Sequence, residues 1–177
     1  DSYKPRSWVY PSYIENLTKL KKELSSNDIL FVHFFGHGSE RGDVVGIPYQ
    51  YIADSLRDIK VNRIIVFIEA CYSGLAVDAF KNTSFKTPCI LITGSSRDSK
   101  GGALVDEFLG SLHFGPYDIN KDGFVSVHEG YLSIKNIIGK PQEYDPENIG
   151  NITYLDEIPV WDDPYWGYYR KLLDDES

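Results

Sequence analysis

The chain is predicted to be an α/β protein built on a mainly parallel sheet, and three observations predict it. The apolar runs at Ile29–Phe35, residues 64–68 and Cys89–Thr93 are rich in β-branched and aromatic residues. They lack the alternation of a half-exposed sheet, as strands buried on both faces do. Segments of helical period lie between them, as right-handed βαβ crossovers require. Each run also ends in small or polar residues: Gly36, His37 and Gly38 after the first, Cys71, Ser73 and Gly74 after the second, and Gly94, Ser95 and Ser96 after the third. That places chemistry-bearing residues at the carboxyl edge of the sheet, where open α/β folds bind ligands.

In chain order, Ser12 followed by Glu15 has the form of a capping box, and Ile14, Leu17, Leu20 and Leu24 recur at helical spacing. This predicts a helix over about 13–25 covering one face of the sheet. The strand 29–35 leads into GDVVGIP at 42–48, a glycine-bounded segment that reads as a hairpin or small extension past His37. A helix over 49–59, with Ile52, Leu56 and Ile59 inward, returns the chain to the central strand. After Cys71 a short helix runs to about 80, a polar loop follows, and the strand 89–93 closes the unit. The polar, glycine-rich SSRDSKGG predicts a mobile loop, and Leu104, Val105, Phe108, Leu109 and Leu112 predict a helix over about 102–112. The remainder, 139–177, is rich in Pro, Asp and aromatic residues, including Trp161, Tyr165, Trp166, Tyr168 and Tyr169. It reads as irregular packing, with one short strand at 152–155 and a terminal helix near 168–173. No internal repeat or linker divides the chain, which is read as one domain over 1–177.

Composition bounds the function. A chain of 177 residues can bury one substantial core, and its longest apolar stretches fall well short of the roughly 20 residues of a membrane span. Eighteen basic against 26 acidic side chains give a formal charge of −8, which disfavours nucleic-acid phosphate and suits cations or basic peptides. Two cysteines make no disulfide framework. Cys89 opens its strand whereas Cys71 follows the end of another, so they are expected about 15 Å apart and unbridged, with Cys89 in the core.

A strand-end cysteine taken alone is most often a small buried hydrophobe, and GHG taken alone is a turn. Together, each closing an apolar strand, they supply what thiol acyl transfer needs: an imidazole that favours the thiolate and protonates the departing amine. A hydrophobic run into HG, followed by one into EACYSG, resembles the caspase-hemoglobinase group of cysteine peptidases, which includes legumains, metacaspases, caspases, separases, gingipains and clostripain. EACYSG is similar to the legumain form and FFGHGS to the metacaspase form, and the likeness covers about 28–112. The resemblance implies a three-layer α-β-α sandwich of caspase-like fold. It implies Cys71 as nucleophile, His37 as acid/base, and an oxyanion hole made by the N–H groups of Gly38 and Cys71. Family members place a strand and helix ahead of the His strand where this chain shows one helix, so a first strand is expected to be missing. It follows that an N-terminal fragment of the chain's own precursor is a candidate partner.

The resemblance also implies that the loop after the third strand lines a specificity pocket, making Ser95 and Ser96 candidate substrate contacts. Glu69, two residues before Cys71 and on its face of the strand, is the third. If its carboxylate is unpaired, it favours cleavage after Arg or Lys, with cleavage after Asn as the second choice. The reading is therefore a cysteine endopeptidase acting on peptide or protein substrates through a thioester acyl-enzyme, with no organic cofactor. A peptide ligase on the same site and an inactive calcium-binding interaction module are the alternatives.

A second motif lies at 118–129, DINKDGFVSVHE. Asp118, Asn120, Asp122, the Phe124 carbonyl, Ser126 and Glu129 occupy positions one, three, five, seven, nine and twelve of an EF-hand-type loop, with Gly123 at six. This predicts Ca2+, or another hard cation, in a bracing role. Gly115 and Pro116 interrupt the entering helix, and an exiting helix is expected over about 127–138. His33, His113 and His128 are read as structural. The sequons at Asn16, Asn82 and Asn151, the absence of Met and the calcium loop favour an extracytoplasmic setting over a cytoplasmic one.

Overall fold

The computed structural model describes residues 9–101, 104–112, 115–136 and 140–155. The chain falls into two compact units, Asp1–Ala103 with Asn136–Glu147, and Leu104–Lys135 with Asn148–Ser177.

The first unit is α/β, with a mixed, mostly parallel four-stranded sheet. Its helices are α1 (Val9–Leu20), α2 (Tyr49–Leu56) and α3 (Ala76–Lys81). Its strands are β1 (Ile29–Phe35), β2 (Gly38–Ser39), β3 (Asp43–Val44), β4 (Ile47–Pro48), β5 (Arg63–Glu69), β6 (Cys89–Thr93) and β7 (Gln142–Tyr144). The main sheet has the order β1-β5-β6-β7, and β2, β3 and β4 form a small antiparallel sheet. β1 pairs in parallel with β5, from Ile29↔Arg63 to Phe35↔Glu69, and β5 in parallel with β6, from Ile64↔Cys89 to Ile68↔Thr93. β7 runs antiparallel to β6.

Side chains alternate across the pleat, so Leu30 and Phe34 of β1, Ile64, Val66 and Ile68 of β5, and Leu91 of β6 share one face. They join Leu17 of α1, Ile52 and Leu56 of α2 and Phe80 of α3 in one buried core cluster. The runs at 64–68 and 89–93 have the cause expected of them, being buried throughout, whereas β1, at the end of the strand order, exposes Ile29, His33 and Phe35. The α1 helix is held to this layer by Tyr13, whose ring meets Phe34 edge-on and whose hydroxyl bonds Ser55 Oγ at 2.7 Å.

The second unit pairs α4 (Val105–Ser111) with α5 (Val127–Ile134). Gly130 permits their approach, because a Cβ there would lie 2.9 Å from the Phe108 ring and 3.0 Å from Leu112.

Four sequence expectations need correction. The first helix begins at Val9, so Ser12 and Glu15 fall inside it, and Glu15 instead pairs with Lys19 one turn on at 2.6 Å. α2 ends at Leu56, three residues early, although Ile59 is still buried by the turn that follows. The stretch expected as a strand at 152–155 begins instead with a 3-10 turn, Gly150–Ile152, where Thr153 Oγ1 bonds back to the Ile149 carbonyl at 2.7 Å. The tail expected to be otherwise irregular contributes β7. The aromatic cluster 161–169, the terminal helix near 168–173 and His113 lie outside the described residues.

Truncating a core ring should be costly and truncating a surface ring should not. Phe80→Ala is expected to lower unfolding free energy in urea by about 3–5 kcal/mol. Phe35→Ala, at a residue 68% exposed, should change it by no more than about 0.5 kcal/mol.

Candidate active site

Two residues beyond the last pair of the β1–β5 ladder stand His37 on one strand and Cys71 on the other. Parallel pairing carries both to the same sheet edge, where the Gly36 N–H donates to the Glu69 carbonyl at 3.2 Å and prolongs the register. The chain at Gly36 has φ +148°, and a Cβ there would stand 2.4 Å from a Val45 methyl. Glycine is therefore what lets β1 turn into His37. His37 is exposed and Cys71 is half-buried. Among the described residues no hydrogen bond joins imidazole to sulfur, as is common in sites that tighten only around substrate.

The backbone around the pair is closely fitted. A Cβ on Gly38 would lie 2.0 Å from the Cys71 carbonyl oxygen, so the two segments touch at the main chain. Val45 N–H donates to the His37 carbonyl at 2.8 Å, which makes Gly38↔Val44 a non-hydrogen-bonded pair of the hairpin ladder. The Gly38 N–H is thus not used by the hairpin and is left at the edge beside Cys71.

The turn carrying Cys71 is braced by hydroxyls. Tyr72 adopts the left-handed region at φ 58°, a costly conformation for a non-glycine residue, and its N–H donates to the Ser99 carbonyl at 2.9 Å. Burial first, then Glu40 on the His37 side, then the charge of Cys71, raise the pKa of the Tyr72 phenol. Ser95 is fully buried and donates to the Ala70 carbonyl at 2.9 Å. It accepts from the Ser73 N–H at 3.0 Å and meets Ser73 Oγ at 3.1 Å. With one donor and two acceptor sites used, its hydroxyl has nothing left for a substrate. The expectation that Ser95 contacts substrate is corrected: it locks the nucleophile turn to the loop after β6. Ser96 is half-buried and bonds Ser99 Oγ at 2.9 Å.

Glu69 shares a face with Phe67 and, across the ladder, with His33 and Phe35. Its carboxylate is 2% exposed, and Oε2 lies 3.0 Å from His33 Nε2, while the His33 ring, 28% exposed, packs edge-on against Phe67. The premise of an unpaired carboxylate is therefore overturned. The strand register contained the signal: once His37 is set opposite Cys71, His33 and Glu69 become diagonal neighbours on one face.

Beside the hairpin stands a further polar residue, for which the sequence predicts only the start of a helix. Tyr49 heads α2, 2% exposed, its N–H donating to the Gly42 carbonyl at 3.0 Å. Among the described residues its buried hydroxyl has no hydrogen-bond partner. Burial first, then the nearby Asp43 and Cys71 charges, push its pKa far above the ordinary value. Asp43 is itself buried, receiving the Ser39 hydroxyl on Oδ2 and the Gly46 N–H on Oδ1. Sequence offered no sign of this, because the burial of Tyr49 depends on how the β2–β4 hairpin folds over it.

Cys89 pairs with Ile64 at the opposite end of the sheet and is a free, buried thiol, as is expected of a core residue. Burial, with smaller contributions from Asp145 and Glu147, pushes its pKa well up.

In the second unit the loop 118–129 closes on itself. Asp118 accepts the N–H groups of Asp122 and Gly123, at 3.1 and 2.9 Å. Glu129 accepts the N–H groups of Ile119 and Asn120 on one oxygen, and the Ser126 N–H and hydroxyl on the other. Ser126 and Glu129 form a reciprocal capping box on α5. Lys121 and Gly123 both take positive φ, giving the sharp turn that this spacing predicts. Burial opposes ionisation of Asp122, but hydrogen bonds from Tyr154, Phe124 and Asn120 outweigh it and lower its pKa. The same bond, with burial and the nearby carboxylates, pushes the Tyr154 phenol to about 12. The oxygen donors suit a hard cation in kind. Among the described residues, however, no group of three or more His, Cys, Asp or Glu side chains is gathered in metal-binding geometry. Each carboxylate is instead held by backbone or side-chain donors of the unit.

No protein-family model matches the chain, and no curated protein matches it. Among the described residues no helix is long and apolar enough to cross a membrane.

Ser95→Ala should strand the Ser73 N–H and the Ala70 carbonyl, lowering unfolding free energy by about 1–3 kcal/mol in denaturant titration. Ser96→Ala, at the partly exposed neighbour, should cost well under about 1 kcal/mol.

Proposed function

We propose that this chain is a cysteine endopeptidase of caspase-like, three-layer α-β-α fold, with Cys71 as nucleophile and His37 as acid/base. The observation that carries the reading is the β1–β5 register, which delivers both residues to one edge with Gly38 against the Cys71 main chain. In this reading the Cys71 thiolate attacks the scissile carbonyl while the N–H groups of Gly38 and Cys71 receive the developing oxyanion. The departing amine takes its proton from His37, and water then releases the acyl group. If a peptide amine intercepts the thioester instead, the same site ligates, which product analysis with added amine nucleophiles distinguishes from hydrolysis.

The pairing of Glu69 with His33 favours cleavage after Asn over cleavage after Arg or Lys. A cation would have to draw a buried carboxylate away from its imidazole. A carboxamide, which both donates and accepts, can bond to such a pair as it stands. Ser96 remains the proposed contact on the facing loop. We also propose that Ca2+ braces the second unit, held by Asp118, Asn120, Asp122, Ser126, Glu129 and the Phe124 carbonyl; binding would exchange the loop's own N–H donors for the ion. The sequon residues Asn16, Asn82 and Asn151 are all exposed, which supports an extracytoplasmic setting.

A positional peptide-library digest tests the assignment. Wild type is expected to cleave after Asn in preference to Arg or Lys, with Cys71→Ala and His37→Ala each reducing kcat/KM by roughly a thousandfold or more. Gly38→Ala, which drives a methyl into the Cys71 carbonyl, should reduce it by about a hundredfold or more. Equal cleavage by the Cys71→Ala variant would remove the peptidase reading.

For calcium, chelation is expected to lower the melting temperature by roughly 5 °C, and Glu129→Gln to abolish that response. A melting curve indifferent to chelator and to added calcium would exclude the bracing role.

A further inference from the structure

We propose that Ser95 is a positioning residue for the candidate nucleophile: its hydroxyl takes the place of the hydrogen bond that would close the Cys71 turn, and so fixes where the sulfur and the Cys71 N–H point. The role rests on the reading of Cys71 as nucleophile. It moves Ser95 from substrate contact to alignment of the reacting group.

After β5 the chain turns over Ala70–Ser73, with Cys71 and Tyr72 at the two central places. A four-residue turn ordinarily closes by joining its first carbonyl to its fourth N–H. Among the described residues that direct bond is not made. Ser95 Oγ lies between the two groups instead, donating to the Ala70 carbonyl at 2.9 Å and accepting from the Ser73 N–H at 3.0 Å. One oxygen from the loop after β6 thus sets the spacing of the two main-chain ends between which Cys71 is held.

That oxygen has little freedom of its own. Ser95 is fully buried, its N–H donates to Ser73 Oγ at 3.0 Å, and its carbonyl receives the Thr93 hydroxyl at 2.9 Å. Main-chain packing closes the rest. A Cβ on Gly74 would lie 2.5 Å from the Arg97 nitrogen, and one on Gly101 would lie 3.0 Å from both the Ala70 oxygen and Ser95 Cβ. Neither the turn nor the loop has room to bring up a substitute for a missing hydroxyl.

The same bracing leaves one donor open. The Tyr72 N–H is spent on the Ser99 carbonyl and the Ser73 N–H on Ser95, whereas among the described residues the Cys71 N–H makes no hydrogen bond. The turn is pinned on both sides of the donor that the proposed oxyanion contact needs. Without the bridge, the Ala70 carbonyl and the Ser73 N–H, both of buried residues, regain partners by closing on each other, which turns Cys71 between them. A misplacement of about 1 Å at a reacting group costs on the order of a hundredfold in rate. Substrate binding is left alone, because the Ser95 hydroxyl has no bonding capacity to offer it.

Steady-state peptide cleavage by variants of the full chain tests the role. Ser95→Ala is expected to lower kcat about ten- to a hundredfold while KM stays within about twofold. Thr93→Val removes a buried hydroxyl one step further from the turn and keeps the shape, so it should lose stability yet hold kcat within about twofold. Ser95→Thr and Ser95→Val share a shape and differ by the hydroxyl. The first should exceed the second in kcat by about tenfold or more, which keeps the test available if the alanine variant folds poorly. A kcat that falls equally in Ser95→Ala and Thr93→Val, or that is the same in the threonine and valine variants, overturns the proposal, since the hydroxyl is then a structural prop. So does a loss confined to KM, which would return Ser95 to the substrate. In each of these cases a cleaving wild type leaves the peptidase reading standing. A wild type that cleaves nothing removes that reading, and the positioning role with it.

Discussion

The pairing of β1 with β5 is the constraint from which the rest of the site follows. Parallel strands hold a fixed register, and with Phe35 opposite Glu69 the next residues out on each strand must meet at one edge. A slip of one residue would reverse every side chain of β1. Leu30 and Phe34 would leave the core, and His33 would lose the face that Glu69 occupies. The apolar packing of one face therefore fixes the polar arrangement on the other. Stability and candidate chemistry share a single alignment, and neither could drift without the other.

Around that alignment the polar groups of the first unit act as fasteners more than as reagents. Ser73, Ser95 and Thr93 pass hydrogen bonds from the Cys71 turn through the loop after β6 to Gln142 at the start of β7. Such short hydroxyl bridges lose little side-chain entropy and satisfy main-chain groups that a strained turn leaves open. Tyr72, in the left-handed region, is held by one of the same loops. The loop 118–129 follows a comparable plan in the second unit, where carboxylates gather the N–H groups of a tight turn.

What could be read in the chain itself depended on range. β1, β5 and β6 are continuous apolar runs, and their bounds match the expectation to within a residue. His37 and Cys71 were legible because each sits at the end of such a run. Gln142–Tyr144 was not, because an edge strand of three half-buried residues has no periodicity to detect. The Ser12–Glu15 signature misled because that spacing also occurs within a helix, where Glu15 found Lys19 instead. The pairing of Glu69 with His33 and the burial of the Ser95 and Tyr49 hydroxyls are long-range facts. They appear only when strands lie side by side, and no local pattern announces them.

The contrast between the two cysteines has a practical corollary. Cys89 is 5% exposed with a thiol that burial keeps protonated, whereas Cys71 reaches the surface at the sheet edge. The native fold already discriminates between them, so a fluorophore or spin label offered under mild conditions would report from the Cys71 edge alone. Distance and mobility measurements at that edge could proceed on the unaltered polypeptide, with no background cysteine to engineer away.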